Sequence, residues 1–124
     1  NDTALGGKEQ VEAILQEEGA KIDVIFAHTD ELAIGAIEAI NATESLKSGE
    51  DVLVISVGGS KAALDAILTG SLNASVENSA AVGDLVVDVG DKLVPGQAAP
   101  KQNYFETRVF DLQHVKDVYS YRPY

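Results

Sequence analysis

Apolar residues along this chain fall at helical spacing, then in short unbroken runs, and the two patterns alternate. Over residues 8–18, Val11, Ile14 and Leu15 share one face among charged neighbours, and Gly19 provides a stop, which predicts a helix. Residues 23–28 (Asp-Val-Ile-Phe-Ala-His) are β-rich and apolar with polar flanks, the signature of a buried strand. Leu32, Ala36, Ala39 and Ile40 line one stripe of a helix over 31–42, with Asp30 or Thr29 placed to cap its N-terminus. A polar loop over 43–50 leads to a second strand at 52–57. Gly58-Gly59-Ser60 then turns the chain into a helix over 61–69 that stops at Gly70. A short third strand is predicted at 72–76. Val82, Leu85, Val86, Val89 and Leu93 predict a helix over 80–94, weakened by Gly83 and Gly90 and ended by Pro95-Gly96. A Gln/Ala/Pro linker at 97–102, a strand within 103–110 and an irregular tail to Tyr124 complete the pattern.

This alternation predicts an α/β fold: a mostly parallel sheet with helices on both faces, built from βαβ units. The 124 residues amount to one domain, and 45% hydrophobic residues suffice for a core. A helix opens the pattern with no strand before it, so the chain is expected to be part of a larger fold that holds the partner strand.

Charge narrows the function classes. Twenty acids against nine bases give a net charge of −11, with no cluster of Lys and Arg to neutralise phosphates, so neither nucleic acid nor an anionic membrane surface is an expected partner. The absence of cysteine excludes disulfides, thiolate zinc sites and a cysteine nucleophile. No apolar run approaches 18 residues, and no signal-peptide pattern is present. Asn1, Asn41 and Asn73 match the N-x-Ser/Thr acceptor pattern, which is common by chance.

In open parallel sheets, ligands bind outside the carboxyl ends of the strands. That rule selects three clusters: His28, Thr29 and Asp30 after the first strand; Gly58, Gly59 and Ser60 after the second; Glu77, Asn78 and Ser79 after the third. Together they form a polar edge of hydroxyl, amide and carboxylate groups, with two glycines that admit a close-lying ligand. A sugar needs this mixture of donors and acceptors. Each cluster also has a plainer reading: Asp30 as a helix cap, His28 as a structural histidine at a strand end, and the glycines as a turn needing backbone freedom. Gly58-Gly59-Ser60-Lys61 fits neither G-x-x-x-x-G-K-[ST] nor G-x-G-x-x-G, so phosphate binding is not expected. No metal-ligand spacing, nucleophile–base set or G-x-S-x-G elbow is visible, and neither cofactor nor enzymatic activity is expected. Among three Phe and four Tyr, only Phe26 precedes residue 100. The stacking rings of a sugar site would therefore come from elsewhere.

Residues 23–40, containing Ala-His-Thr-Asp-Glu-Leu-Ala-Ile-Gly-Ala, resemble the A-x-N-D-x-M-A-x-G-A segment of periplasmic sugar-binding proteins of the ribose and galactose type. Gly70–Asn78 looks like that family's G-x-L-x-A-T-I-x-Q segment, and Ser120–Tyr124 is similar to the tail of the galactofuranose-binding branch. The resemblance extends from about Gly6 to Tyr124. It implies one lobe of a fold with two Rossmann-like lobes joined by three crossovers, a sugar being trapped between them. Within the single lobe spanning 1–124, the helix at 80–94 corresponds to the part that crosses to the other lobe.

By this resemblance Thr29 stands where the family has a sugar-binding Asn, and Asp30 matches the motif Asp that mainly caps the helix. Gly58 stands where a G-F-D-G turn carries the ligand-binding Asp, a departure that removes a main sugar contact. Asn78 falls near the family's Gln, beside Glu77 and Ser79. The implied function is the substrate-binding component of an ABC sugar transporter. It would lie in the periplasm, or outside the cell on a lipid anchor in a Gram-positive organism, with a small sugar and a membrane permease as partners. The alternative is the effector-binding domain of a lactose-repressor-type regulator, which would need a helix-turn-helix segment upstream. The unpartnered stripe on 80–94 and the open sheet edge also imply a homo-oligomer of the isolated lobe.

Overall fold

A computed structural model describes residues 2–78, 82–104 and 106–121. Helix α1 (Ala4–Glu18) starts four residues before the expected position because the Thr3 hydroxyl caps it, accepting from the Gly6 N–H. It is followed by β1 (Val24–Phe26), α2 (Asp30–Asn41), β2 (Leu53–Gly58), α3 (Lys61–Leu68) and β3 (Ala74–Glu77). Next come α4 (Gly83–Leu93), β4 (Val109–Asp111) and α5 (Val115–Val118). The Ser60 hydroxyl caps α3, and Gly70, at φ 79°, stops it.

The sheet runs β1-β2-β3-β4. The first three strands are parallel and β4 is antiparallel to β3. The fold class expected from the alternation is therefore present, as a mixed but mostly parallel sheet. Strand alternation gives that sheet two unlike faces. Val54, Ser56, Ser75 and Phe110 point to one face and are buried beneath α2 and α3, beside Leu64, Ile67 and Ile40. Val24, Phe26, Leu53 and Val109 point to the other and are each about half exposed, between 42% and 57%. Helices thus cover one face among the described residues, not both faces as the alternation predicts. Helix α4 buries none of its residues, and Val86, Val87 and Leu93 lie open on it.

Two glycines bring α1 onto α2. At Gly7 an added methyl would run into the Leu32 backbone, and at Gly35 into that of Ala4 and Lys8, so the helices touch main chain to main chain. Gly35 lies inside the segment that carries the family resemblance, and this close approach is its physical use.

Two expectations need correction at the C-terminal end. The strand expected within 103–110 is only three residues long and shifted to Val109–Asp111. The tail, expected to be irregular, folds into α5 and a 3-10 turn (Tyr119–Tyr121). Val115 is fully buried there and the Tyr119 hydroxyl donates to Asp65 at 2.5 Å, which raises the phenol's pKa. The Lys61 ammonium lies 4.2 Å from the centre of the Tyr119 ring. These contacts hold the tail against α3, and four helical residues are too few to show a period in sequence.

Candidate functional site

Because β1, β2 and β3 are parallel, their carboxyl ends lie on one edge, as the sequence clusters require. Ala27 N–H donates to the Ile55 carbonyl, and Asn78 N–H donates to the Gly58 carbonyl at 3.0 Å. The segments after the three strands are thereby drawn together. Thr29 and Asp30 come from the first, Gly58, Gly59 and Ser60 from the second, and Glu77 and Asn78 from the third. Ser79 lies outside the described residues.

Asp30 is at the centre of this edge, facing inward. It is only 2% exposed. Its Oδ1 accepts from the hydroxyls of Ser56 at 2.5 Å and Ser75 at 2.8 Å, and its Oδ2 accepts from the Ser60 N–H at 2.7 Å. The Ser75 hydroxyl in turn accepts from the Gly59 N–H at 3.0 Å. Ion pairs among the described residues involve Glu38, Glu50 and Asp111, but not Asp30. The buried carboxylate is held by three neutral donors and by its place at the N-termini of α2 and α3, where backbone dipoles favour negative charge.

Thr29, not Asp30, caps α2: its hydroxyl oxygen accepts from the Leu32 N–H at 3.3 Å. The spacing left these two residues as alternatives and the family resemblance implied Asp30 as the cap; instead Asp30 takes the first helical position while reaching across to β2 and β3. Having spent only an acceptor position on the cap, the Thr29 hydroxyl keeps its proton for a further partner.

The turn after β2 depends on glycine. Gly58 and Gly59 have φ of 153° and 80°. A methyl added at Gly58 would sit 2.7 Å from the Asp30 carboxyl carbon. This turn bends its amides inward, onto Ser75 and Asp30. Those are the groups that would cradle a phosphate, so their use inside the protein agrees with the poor phosphate-loop pattern.

His28 is set apart from the clusters on β2 and β3. Its ring is exposed and meets Phe26 edge-on, with centroids 5.5 Å apart. Both residues line a pocket of about 370 Å³ between α1, β1 and α2, shared with Gly7, Val11 and Leu32. No residue of the Gly58 or Glu77 cluster lines it, and it follows the outer margin of β1 rather than the polar edge. No group of three His, Cys, Asp or Glu suited to a metal ion exists among the described residues.

Three neighbours of the site were missed by the sequence rule. Ser56 and Ser75 are the partners of Asp30, and the available signal was a serine at a buried position of an otherwise apolar strand. Arg108 is the third: its carbonyl accepts from the Glu77 N–H at 2.8 Å. Since β4 is antiparallel, its beginning lies at this edge, and a rule that inspects only the ends of strands passes over it.

With the geometry in place, comparison with known proteins adds the following. A model of the periplasmic binding protein domain matches residues 1–98. The ribose import binding protein of Bacillus subtilis is 40% identical over 81 residues, 64% of this chain and 25% of its own length. The galactofuranose-binding protein of Escherichia coli is 41% identical over 73 residues, 57% of this chain and 23% of its own. Among solved structures, the binding component of an arabinose ABC transporter from Shewanella sp. ANA-3, bound to α- and β-L-arabinofuranose, superposes with a TM-score of 0.84. Identity there is 31%, covering 98% of this chain and 40% of that one. A galactofuranose-binding protein gives a TM-score of 0.85 at 28% identity, over 97% and 41% of the two chains. The chain spans about a quarter of the length of the curated relatives it matches.

Proposed function

The chain belongs to the periplasmic binding protein domain family, and we propose that it supplies one wall of a small-sugar cleft in the substrate-binding component of an ABC transporter. The observation that carries this reading is the meeting of Thr29, Gly58–Ser60 and Glu77–Asn78 on one polar edge of the parallel sheet. Hydroxyl, amide and carboxylate groups suit a polyol, and the sugars named for the relatives (ribose, galactofuranose and arabinofuranose) support a pentose or hexose as its class. The role is binding, not catalysis.

The mechanism is closure. A second lobe meets this edge across the ligand, and bound sugar favours the closed state by its higher affinity for it. A membrane permease then reads the closed form, in the periplasm or, on a lipid anchor, outside a Gram-positive cell. Helix α4 crosses to the second lobe in this arrangement. That accounts for a helix with no fully buried residue here, in which Leu85 and Val89 are only partly covered and Val86 and Leu93 lie open.

Half of a cleft binds weakly. The expected result of titrating this 124-residue chain with pentoses and hexoses by calorimetry is no tight binding, and a micromolar affinity would refute the half-site. Meanwhile the chain exposes 8070 Å², more than the roughly 6,300 Å² of a compact monomer of its mass. Its open sheet face and α4 favour self-association of the isolated lobe. Light scattering over a concentration series is expected to show a mass above 13.0 kDa, whereas a strict monomer would remove the proposal.

A further inference from the structure

We infer that Asp30 is a specificity-determining residue: its buried carboxylate fills, from inside the protein, the anion seat made by the N-termini of α2 and α3 and the Gly58–Ser60 turn. The edge therefore accepts neutral polyols and turns away their phosphate esters and the corresponding sugar acids. This selectivity rests on the reading that the edge faces the sugar; the occupied seat itself does not.

A glycine turn that opens a helix ordinarily offers its N–H groups and the positive end of the helix dipole to an anion. In this turn the Ser60 N–H points to Asp30 Oδ2, and the Gly59 N–H to Ser75 Oγ, which itself donates to Asp30 Oδ1. Ser56 supplies a further hydroxyl to the same oxygen. Every one of these donors would suit a phosphate or carboxylate oxygen, and every one is engaged within the protein, three on the Asp30 carboxylate and the Gly59 N–H on the Ser75 hydroxyl that serves it. An incoming anion meets donors already engaged and a negative charge behind them. A neutral hydroxyl group meets neither obstacle, since it needs only partners such as the half-buried Thr29 hydroxyl and the exposed Asn78 side chain. Gly58 keeps the arrangement intact, because any side chain there in this backbone conformation would press on Asp30.

Inorganic phosphate is the probe, applied to the 124-residue chain at neutral pH and read by backbone amide NMR and by thermal midpoint. Sodium chloride at equal ionic strength is the reference. The wild-type chain is expected to show no saturable shift at the amides of residues 59–63. Asp30→Asn is expected to show a saturable shift at those amides, with an affinity roughly five- to thirtyfold above the limit that the wild-type titration sets, the range of a favourable helix-terminus charge interaction. Glu31→Gln removes an exposed acid from the same helical turn and is expected to gain nothing. Saturable phosphate binding by the wild type at those amides would overturn the proposal without any variant.

Even a destabilised Asp30→Asn remains informative, because a ligand of the native state raises its midpoint by mass action. If phosphate recovers that variant no better than chloride does, or recovers Glu31→Gln equally, the proposal fails. No sugar enters this experiment, so its failure leaves the sugar-binding reading standing, and a failed sugar titration leaves this result intact.

Discussion

Asp30→Ala is expected to destabilise the chain by about 3–5 kcal/mol. The substitution strips the acceptor from the hydroxyls of Ser56 and Ser75 and from the Ser60 N–H, and both serines are fully buried. Hydrogen bonds to a charged group are worth about 1.5–3 kcal/mol each, and a buried donor left without a partner costs about 1–3 kcal/mol. Three such losses outweigh the relief of no longer burying a carboxylate, a relief that is already reduced by the two helix N-termini beside it. Since a domain of this size holds about 5–15 kcal/mol in all, much of its stability depends on one side chain. Urea unfolding followed by circular dichroism measures the difference. A loss below about 1 kcal/mol would mean that water or a rearranged turn replaces the carboxylate readily.

Gly35→Ala tests the contact between α1 and α2, and here two effects of opposite sign compete. Replacing a helical glycine with alanine favours the helix by about 1 kcal/mol in isolation. Against this, the new methyl would overlap the Ala4 carbonyl and stand 2.7 Å from the Lys8 nitrogen. Both are backbone atoms of α1 and cannot swing aside as a side-chain end does. Overpacking of this kind costs about 1–3 kcal/mol or more, and pushing α1 away also uncovers Val11, which is 5% exposed. The net expectation is a loss of about 2–4 kcal/mol, with faster hydrogen exchange throughout Ala4–Glu18. A neutral or stabilising Gly35→Ala would show that α1 does not rest on α2 at this point.

The strands and most helices were legible because their apolar spacing is regular and their ends carry ordinary punctuation. Ser60 before α3 and Gly70 after it are examples. The carboxyl-edge rule likewise brought Thr29, Gly58 and Asn78 together from residues far apart in sequence. What the sequence could not reveal was direction. Nothing in a stretch of letters says that Asp30 turns inward to Ser56 and Ser75 while Thr29 takes the cap, because either residue type caps a helix well. The same limit applies to His28, which the strand-end rule groups with Thr29 but whose ring turns to Phe26. The open sheet face was hidden for a related reason. An apolar strand reads identically whether its second face is covered by this chain or by another, so Val24, Phe26 and Leu53 looked like core and are about half exposed.

Whether this polar edge holds the sugar is decided by calorimetry on the two-lobed protein that contains this lobe, comparing wild type with Thr29→Ala and Asn78→Ala. Asn78 is exposed at the edge, so its substitution leaves the core untouched. Thr29 also caps α2, so the affinity of that variant is read below its unfolding transition. Each variant is expected to bind more weakly by about 0.5–1.5 kcal/mol, the net worth of one hydrogen bond, or roughly two- to twelvefold in Kd. Unchanged affinity in both would contradict this and would place the sugar away from the carboxyl ends of β1 and β3.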